Sequence, residues 1–317
     1  MLAGLPRGYF YYNYSEFMDT LFDCTDVEIK AGPENCDDIL KRGSRLTADE
    51  ACLPVRLFAG QIDAMQGHFD RILIPRIMKD AGGSWLCPKL LGIPELSGAS
   101  FIESSMYITD PVYFNRPEES CRIFRDMGRS FGVDKKKITA NFKKAYRSLK
   151  DISAGRRPIH IEAGNEFMPP VPGPGEIVLP CTKKVLLSGH CYNVFDRFAN
   201  GNIVRMLDDM GVGVVTEKDA ACRSAYRASC QAGIMKKPFW EAFSRIYGTV
   251  MSLMDEIDGI IYLSSFSCGI DPFIIEMIRK RTGNMPFMIL KLDEHKGDAG
   301  VETRIEAFVD MLGRRCG

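Results

Sequence analysis

The second half of the chain repeats one unit: a short, continuous apolar run, a break, and then a stretch of helical periodicity. Val185 to Ser188 breaks at Gly189-His190, and a helical stretch from Asn202 to Met210 ends at Gly211. Val212 to Thr216, a helical region from Lys218 to Met254, Gly259 to Leu263, a helix from Pro272 to Arg281, Pro286 to Leu292 and a helix from Val301 to Leu312 follow in turn. Apolar strands without alternation must be covered on both faces, so their alternation with helices predicts a parallel, doubly wound α/β sheet. The first half follows the same rhythm less regularly. It reads as strands at Leu2 to Leu5, Val27 to Lys30 and Arg71 to Pro75, with helices at Tyr9 to Phe22, Leu53 to Met65, Pro117 to Phe131 and Lys135 to Leu149; Asp49 and Glu50 would open the helix at Leu53. Between the halves, Ala154 to Pro180 is too rich in proline for a helix. The expected organisation is therefore an N-terminal α/β domain over 1–153, a linker or arm over 154–183, and a C-terminal α/β domain over 184–317.

Composition removes several classes of function. Forty-one basic and 41 acidic residues leave no net charge, so the electrostatic footprint of a nucleic-acid binder is missing. The longest apolar runs, Ile257 to Ser264 and Met285 to Leu290, fall far short of the roughly 20 residues of a membrane helix. Met1 to Tyr14 does not read as a secretory signal, which predicts a cytoplasmic protein. In that reducing setting an odd set of 11 cysteines argues against a disulfide framework and leaves metal binding, catalysis or inert core packing.

Ligands of open parallel sheets bind beyond the carboxyl ends of the strands, which selects the loops Gly189 to Tyr192, Ser264 to Gly269 and Asp293 to His295. Cys268 lies between a strand end and a helix start, where amides and the helix dipole favour a thiolate. Cys52 stands before Leu53-Pro54 at another expected helix start, and Cys87 precedes Pro88 in a loop. Thiols on loops with no close histidine favour an iron–sulfur cluster over zinc. The competing account is core packing, which suits most cysteines. Cys121 and Cys316 fit it, Cys24, Cys36 and Cys181 have no partner at ligand spacing, and Cys222 and Cys230 share a helical face but are two turns apart. His190 and His295 are candidate proton donors, or merely pack their turns; His68 and His160 look incidental. Gly211-x-Gly213 introduces a strand, and Pro172-Gly173-Pro174-Gly175 lacks the Lys-Ser/Thr of a phosphate loop, so no nucleotide motif survives.

Several segments in order resemble a known family: Asp49-Glu50-Ala51-Cys52-Leu53-Pro54-Val55-Arg56, Arg71 to Arg76, Cys87-Pro88-Lys89, Gly189-His190-Cys191-Tyr192-Asn193, Phe266 to Asp271, and Asp293-Glu294-His295 with Thr303 to Phe308. The chain is similar, from about Leu5 to Leu312, to 2-hydroxyacyl-CoA dehydratase-like iron–sulfur proteins, in particular their activase-related branch. That resemblance implies two flavodoxin-like domains with a 4Fe-4S cluster in the cleft, held by Cys52, Cys87 and Cys268, with one iron open to a small-molecule substrate. It also implies an ATP-dependent activase of the ASKHA type as electron donor, and a homodimer or a paralogous subunit as a further partner. His190, Glu294 and His295 would be the acid–base or substrate-orienting groups. Cys191 stands where relatives commonly carry proline, and is a further candidate metal ligand; a double-cubane cluster would recruit it with Cys222 and Cys230. Two functions follow: a dehydratase or reductase acting on a substrate such as an acyl-CoA, or a non-catalytic electron-transfer or cluster-carrier subunit.

Overall fold

The computed structural model describes residues 1–100, 105–154, 156–157, 183–220, 239–293 and 298–314. The first half contains strands β1 (Leu2–Leu5), β2 (Glu28–Ala31), β3 (Arg71–Ile74), β4 (Ile77–Lys79), β5 (Met106–Ile108) and β6 (Val112–Tyr113). The second half contains β7 (Lys183–Gly189), β8 (Val212–Val215), β9 (Gly259–Ser265) and β10 (Phe287–Leu292). Two four-stranded sheets form, in the orders β2-β1-β3-β5 and β10-β9-β7-β8, and every pairing in them is parallel. Read from the β2 and β8 edges, both sheets run second, first, third, fourth strand in chain order. Each therefore reverses direction of winding between its first and third strands, which puts the topological switch point, where ligands of such sheets bind, at β1/β3 and at β7/β9. All seven residues of β9 are buried, the consequence of a Gly-Ile-Ile-Tyr-Leu run with helices over both faces. β4 and β6 make a separate two-stranded parallel ribbon.

Most of the sequence-derived elements form, with ends shifted by a few residues. The helix Leu53–Met65 starts without Asp49 or Glu50 in its first turn: Cys52 is its N-cap residue, with Pro54 in the first turn. The Asp49 carbonyl instead accepts from Arg56 Nη2 at 2.7 Å. Of the helical region expected from Lys218 to Met254, the described parts are Glu217–Ala220 and Glu241–Leu253; 221–238 lie outside the described residues, as does most of the expected arm, 155 and 158–182.

Among the helices that were not legible is Asp37–Leu46. It packs on Leu53–Met65 through two facing glycines: a Cβ on Gly43 would lie 1.7 Å from the Arg56 carbonyl oxygen, and one on Gly60 1.9 Å from that of Ile39. Only a residue without a Cβ permits backbones to approach this closely, so this pair seats the helix that carries Cys52 at its start.

The two halves are joined through backbone and core. The Trp85 amide donates to the Phe239 carbonyl, and the Glu241 amide to the Trp85 carbonyl, both at 2.9 Å. Tyr12 of helix Tyr9–Leu21 donates its hydroxyl to Asp196 at 2.8 Å. The largest cluster of buried apolar side chains takes in residues from both halves, among them Phe10, Ile72, Leu187 and Leu263. No helix among the described residues is long and apolar enough to cross a membrane.

Candidate metal centre

The switch point of the second sheet is formed by the ends of β7 and β9. Gly189, at φ +141°, ends β7 so close to β9 that a Cβ there would lie 2.5 Å from the Leu263 carbonyl oxygen. The chain then turns, and His190 caps the short helix Cys191–Val194. Asn193 pins this turn to β9, donating to the Leu263 carbonyl at 3.3 Å and accepting from Ser265 Oγ at 2.8 Å. Beyond Ser265, the exposed Phe266 and left-handed Ser267, at φ +61°, lead to Cys268 and the helix Asp271–Thr282.

Three side chains meet there. His190 Nε2 lies 3.2 Å from Asp271 Oδ1 and 3.7 Å from Cys268 Sγ. Tyr262 donates its hydroxyl to the same Asp271 oxygen at 2.7 Å, and the Tyr192 ring stacks on the imidazole with centroids 5.0 Å apart. Burial by itself would pull the His190 imidazolium down, but the Asp271 carboxylate and the Cys268 sulfur outweigh it and hold its pKa well above the ordinary value. Burial likewise opposes ionisation of Asp271; the His190 charge and the hydrogen bonds it receives hold its pKa below the usual carboxylate range. Both sulfur and carboxylate face the same ring nitrogen, so this is not the base-and-orienter arrangement of a nucleophilic triad, where the orienting acid takes the opposite nitrogen.

The first half delivers two more thiols. Cys52 and Cys87 are the N-cap residues of Leu53–Met65 and Pro88–Leu91, each with proline in the first turn. Burial pushes both thiols up; the Val55 amide offsets part of this at Cys52, and the His190 charge with the Lys89 and Leu90 amides offsets part at Cys87. The thiols also act on one another. Cys87 and Cys268 disfavour the Cys52 thiolate, Cys268 disfavours that of Cys87, and after burial all three sulfurs raise the Tyr192 phenol. Three separated segments thus bring their sulfurs into one neighbourhood around His190 and Tyr192. Among the described residues, the one group of three ligand atoms within 4.8 Å of one another is His190, Cys268 and Asp271; the three sulfurs are not all within that distance of one another.

Cys191 belongs to other company. Its sulfur accepts from Asn13 Nδ2 at 3.0 Å and lies with Arg245, Glu217 and Glu241. Arg245 grips Glu217 through Nε at 2.6 Å and Nη2 at 2.8 Å, and Glu241 through Nη1 at 2.9 Å. Burial pushes the Cys191 thiol from 9.0 to about 11. Because the folded state holds this proton more tightly than the unfolded chain, the stability it contributes is complete below pH 9 and is lost between pH 9 and 11. Two units correspond to about 2–3 kcal/mol. Denaturant unfolding across that window should therefore fall less steeply with pH for Cys191→Ala than for the wild type; parallel slopes would place the thiol in contact with water.

Comparison with protein families decides the relationship. The family model described as "CoA enzyme activase uncharacterised domain (DUF2229)" matches residues 3–219. The chain belongs to this CoA enzyme activase domain family. No curated protein matches. Matching solved structures include "Crystal structure of ZnuA", with 10% identity, 99% of this chain and 98% of that chain covered, and a TM-score of 0.31. At that score nothing about fold or function is carried over from it.

The stretch shared with the CoA enzyme activase domain holds Cys52, Cys87, Lys89, His190 and Cys191, while Cys268 and Asp271 lie beyond it. Of the residues singled out from sequence, the fold gathers Cys52, Cys87, Cys268 and His190 and sets Cys191 in the Arg245 cluster. Glu294 and His295 lie outside the described residues, as do Cys181, Cys222, Cys230, Cys316 and His160. Cys24 and Cys36 are exposed and Cys121 is half-buried. Sequence reading assigned no role to Asp271, Tyr192 or Lys89. Asp271 had a local signal, an acid directly before Pro272 at a helix start beside Cys268, whereas the parts played by Tyr192 and Lys89 depend on distant chain.

Proposed function

We propose that this CoA enzyme activase-family protein is an iron–sulfur module of CoA-enzyme activation, with Cys52, Cys87 and Cys268 as ligands of a 4Fe-4S-type cluster. The observation that carries the reading is the convergence of three thiols from three segments on one neighbourhood, where each acts on the others' ionisation. Two sulfurs bound to one zinc ion at ~2.3 Å can be no more than about 4.6 Å apart, and these three are not mutually within 4.8 Å. A polynuclear group, with its ligands on separate corners, suits that spacing and three thiols, although the structure places His190 beside Cys268, where sequence predicted no close histidine. When bound through three thiolates, such a cluster supplies one-electron chemistry and leaves one iron open to an exogenous ligand.

The chain's own residues prepare the site. Burial keeps the Cys52 and Cys87 thiols protonated at neutral pH, so loading must expel their protons and is favoured as pH rises. The His190 imidazolium, held by Asp271, offsets the negative charge of a thiolate set and can donate a hydrogen bond to Cys268 sulfur. The order of strands in both sheets is the first part of the flavodoxin-like order, which agrees with the two-domain, dehydratase-like reading. In that reading an ATP-dependent activase would be the electron donor, and the partner molecule of the site would be a small substrate such as an acyl-CoA.

A second reading has its own support. Among the described residues, His190, Cys268 and Asp271 form the one group within reach of a single divalent ion. That ion would have to displace a proton from an imidazolium which Asp271 stabilises, and it would leave Cys52 and Cys87 without a role. Anaerobic incubation with iron and sulfide separates the two. The cluster reading expects brown protein with iron and acid-labile sulfide in nearly equal amounts; one metal ion per chain without sulfide would overturn it in favour of the mononuclear site. Adding an activase, ATP and an acyl-CoA to the reduced protein should then give substrate-dependent ATP consumption.

A further inference from the structure

Lys89 follows Cys87 by two residues, and its ammonium reaches across the thiol site. Nζ donates to the Glu50 carbonyl, 39 residues away, and to the Ser267 carbonyl, 178 residues away, both at 2.9 Å. Glu50 precedes Cys52 by two residues, and Ser267 immediately precedes Cys268. One cation on the Cys87 segment is therefore bonded to the backbone beside each of the other two cysteines. Lys89 is an exposed residue, and its ammonium still spends two of its three donors on main-chain oxygens. Ser267 is left-handed, at φ +61°, a conformation that non-glycine residues adopt only when their surroundings hold it. Both acceptors are neutral carbonyls, so neither cancels the ammonium charge.

We propose that Lys89 is a positioning residue, an electrostatic strap that holds the three cysteine-bearing segments together and keeps a positive charge beside the group they bind. This rests on the cluster reading for the identity of that group, but the strap itself is a property of the protein alone. A ligand set of three thiolates is self-repelling, and a fixed cation at its edge opposes that repulsion. An added electron on a bound cluster would likewise be stabilised by the charge, which raises its reduction potential.

The test uses the full chain with Lys89→Met, which keeps the length of the stem and removes the charge, and Lys89→Arg, which keeps the charge. Without added metal, hydrogen exchange of the amides around Cys52 and Cys268 should be roughly tenfold faster in Lys89→Met, with exchange in β9 unchanged. After anaerobic loading with iron and sulfide, the midpoint potential should be lower in Lys89→Met than in wild type, and Lys89→Arg should restore it. Unchanged exchange in Lys89→Met overturns the strap. Changed exchange with an unchanged potential overturns its electrostatic role. If the wild type takes up no iron and sulfide, the cluster reading fails, and the exchange measurement on metal-free protein still decides whether Lys89 ties the segments.

Discussion

Arg245→Met is expected to destabilise the fold by about 3–5 kcal/mol, the usual cost of removing one partner from a buried ionic group. The guanidinium side chain is 17% exposed, and its partners Glu217 and Glu241 are 9% and 7% exposed. Burial alone would pull the Arg245 charge down, and the two carboxylates outweigh this and hold it firmly protonated. Without it, two carboxylates would remain in a space that also holds the Cys191 thiol and the Tyr9 hydroxyl, which donates to Glu241 at 3.1 Å. They would have to take up protons or admit water. Combining Arg245→Met with Glu217→Gln and Glu241→Gln should recover most of the loss, because the penalty comes from uncompensated charge and not from lost packing. Urea midpoints of the single and triple variants give the comparison. A loss below about 1 kcal/mol in the single variant would mean that the group is hydrated like a surface pair.

The second large effect concerns the thiols. Cys52→Ser, Cys87→Ser and Cys268→Ser should each lower iron retention after anaerobic loading by roughly tenfold or more, since loss of even an outer-sphere partner costs that much in metal affinity. Cys24→Ser is the control, an exposed cysteine. Cys191→Ser should retain the wild-type iron content, because its sulfur is bonded to Asn13 beside Arg245. Iron content measured with sulfide on the same samples reads all five variants. Equal retention in Cys268→Ser and Cys24→Ser would remove Cys268 from the ligand set, and iron lost in Cys191→Ser would add Cys191 to it.

The parts of the molecule that were legible share a cause. β9 could be read because seven consecutive buried positions need a continuous apolar run, and Leu53–Met65 because Pro54 marks its first turn. Cys52 and Cys268 could be singled out because each stands beside an expected helix start, and Cys87 because it precedes Pro88 in a loop; that Cys87 is the N-cap of Pro88–Leu91 came from the structure. The helix Asp37–Leu46 escaped because it carries Gly43 in its body, and glycine reads as a helix breaker unless the facing Gly60 is known. The surroundings of Cys191 escaped for a similar reason: its immediate neighbours, His190 and Tyr192, face the thiol site, while its own sulfur turns to Asn13 and Arg245.

Sequence alone determined that the chain alternates strands and helices into parallel α/β sheets, and that Cys52 and Cys268 stand next to helix starts. Periodicity and capping act over a few residues, so they leave a local trace. Tertiary structure decided that Cys52, Cys87 and Cys268 share one neighbourhood, that His190 is tied to Asp271, and that Lys89 bridges the flanks of two distant cysteines. Those contacts arise only when the strands pair and the halves close over Trp85 and Trp240. Coulombic and hydrogen-bond partners are chosen by distance in space, and separation along the chain carries no record of it.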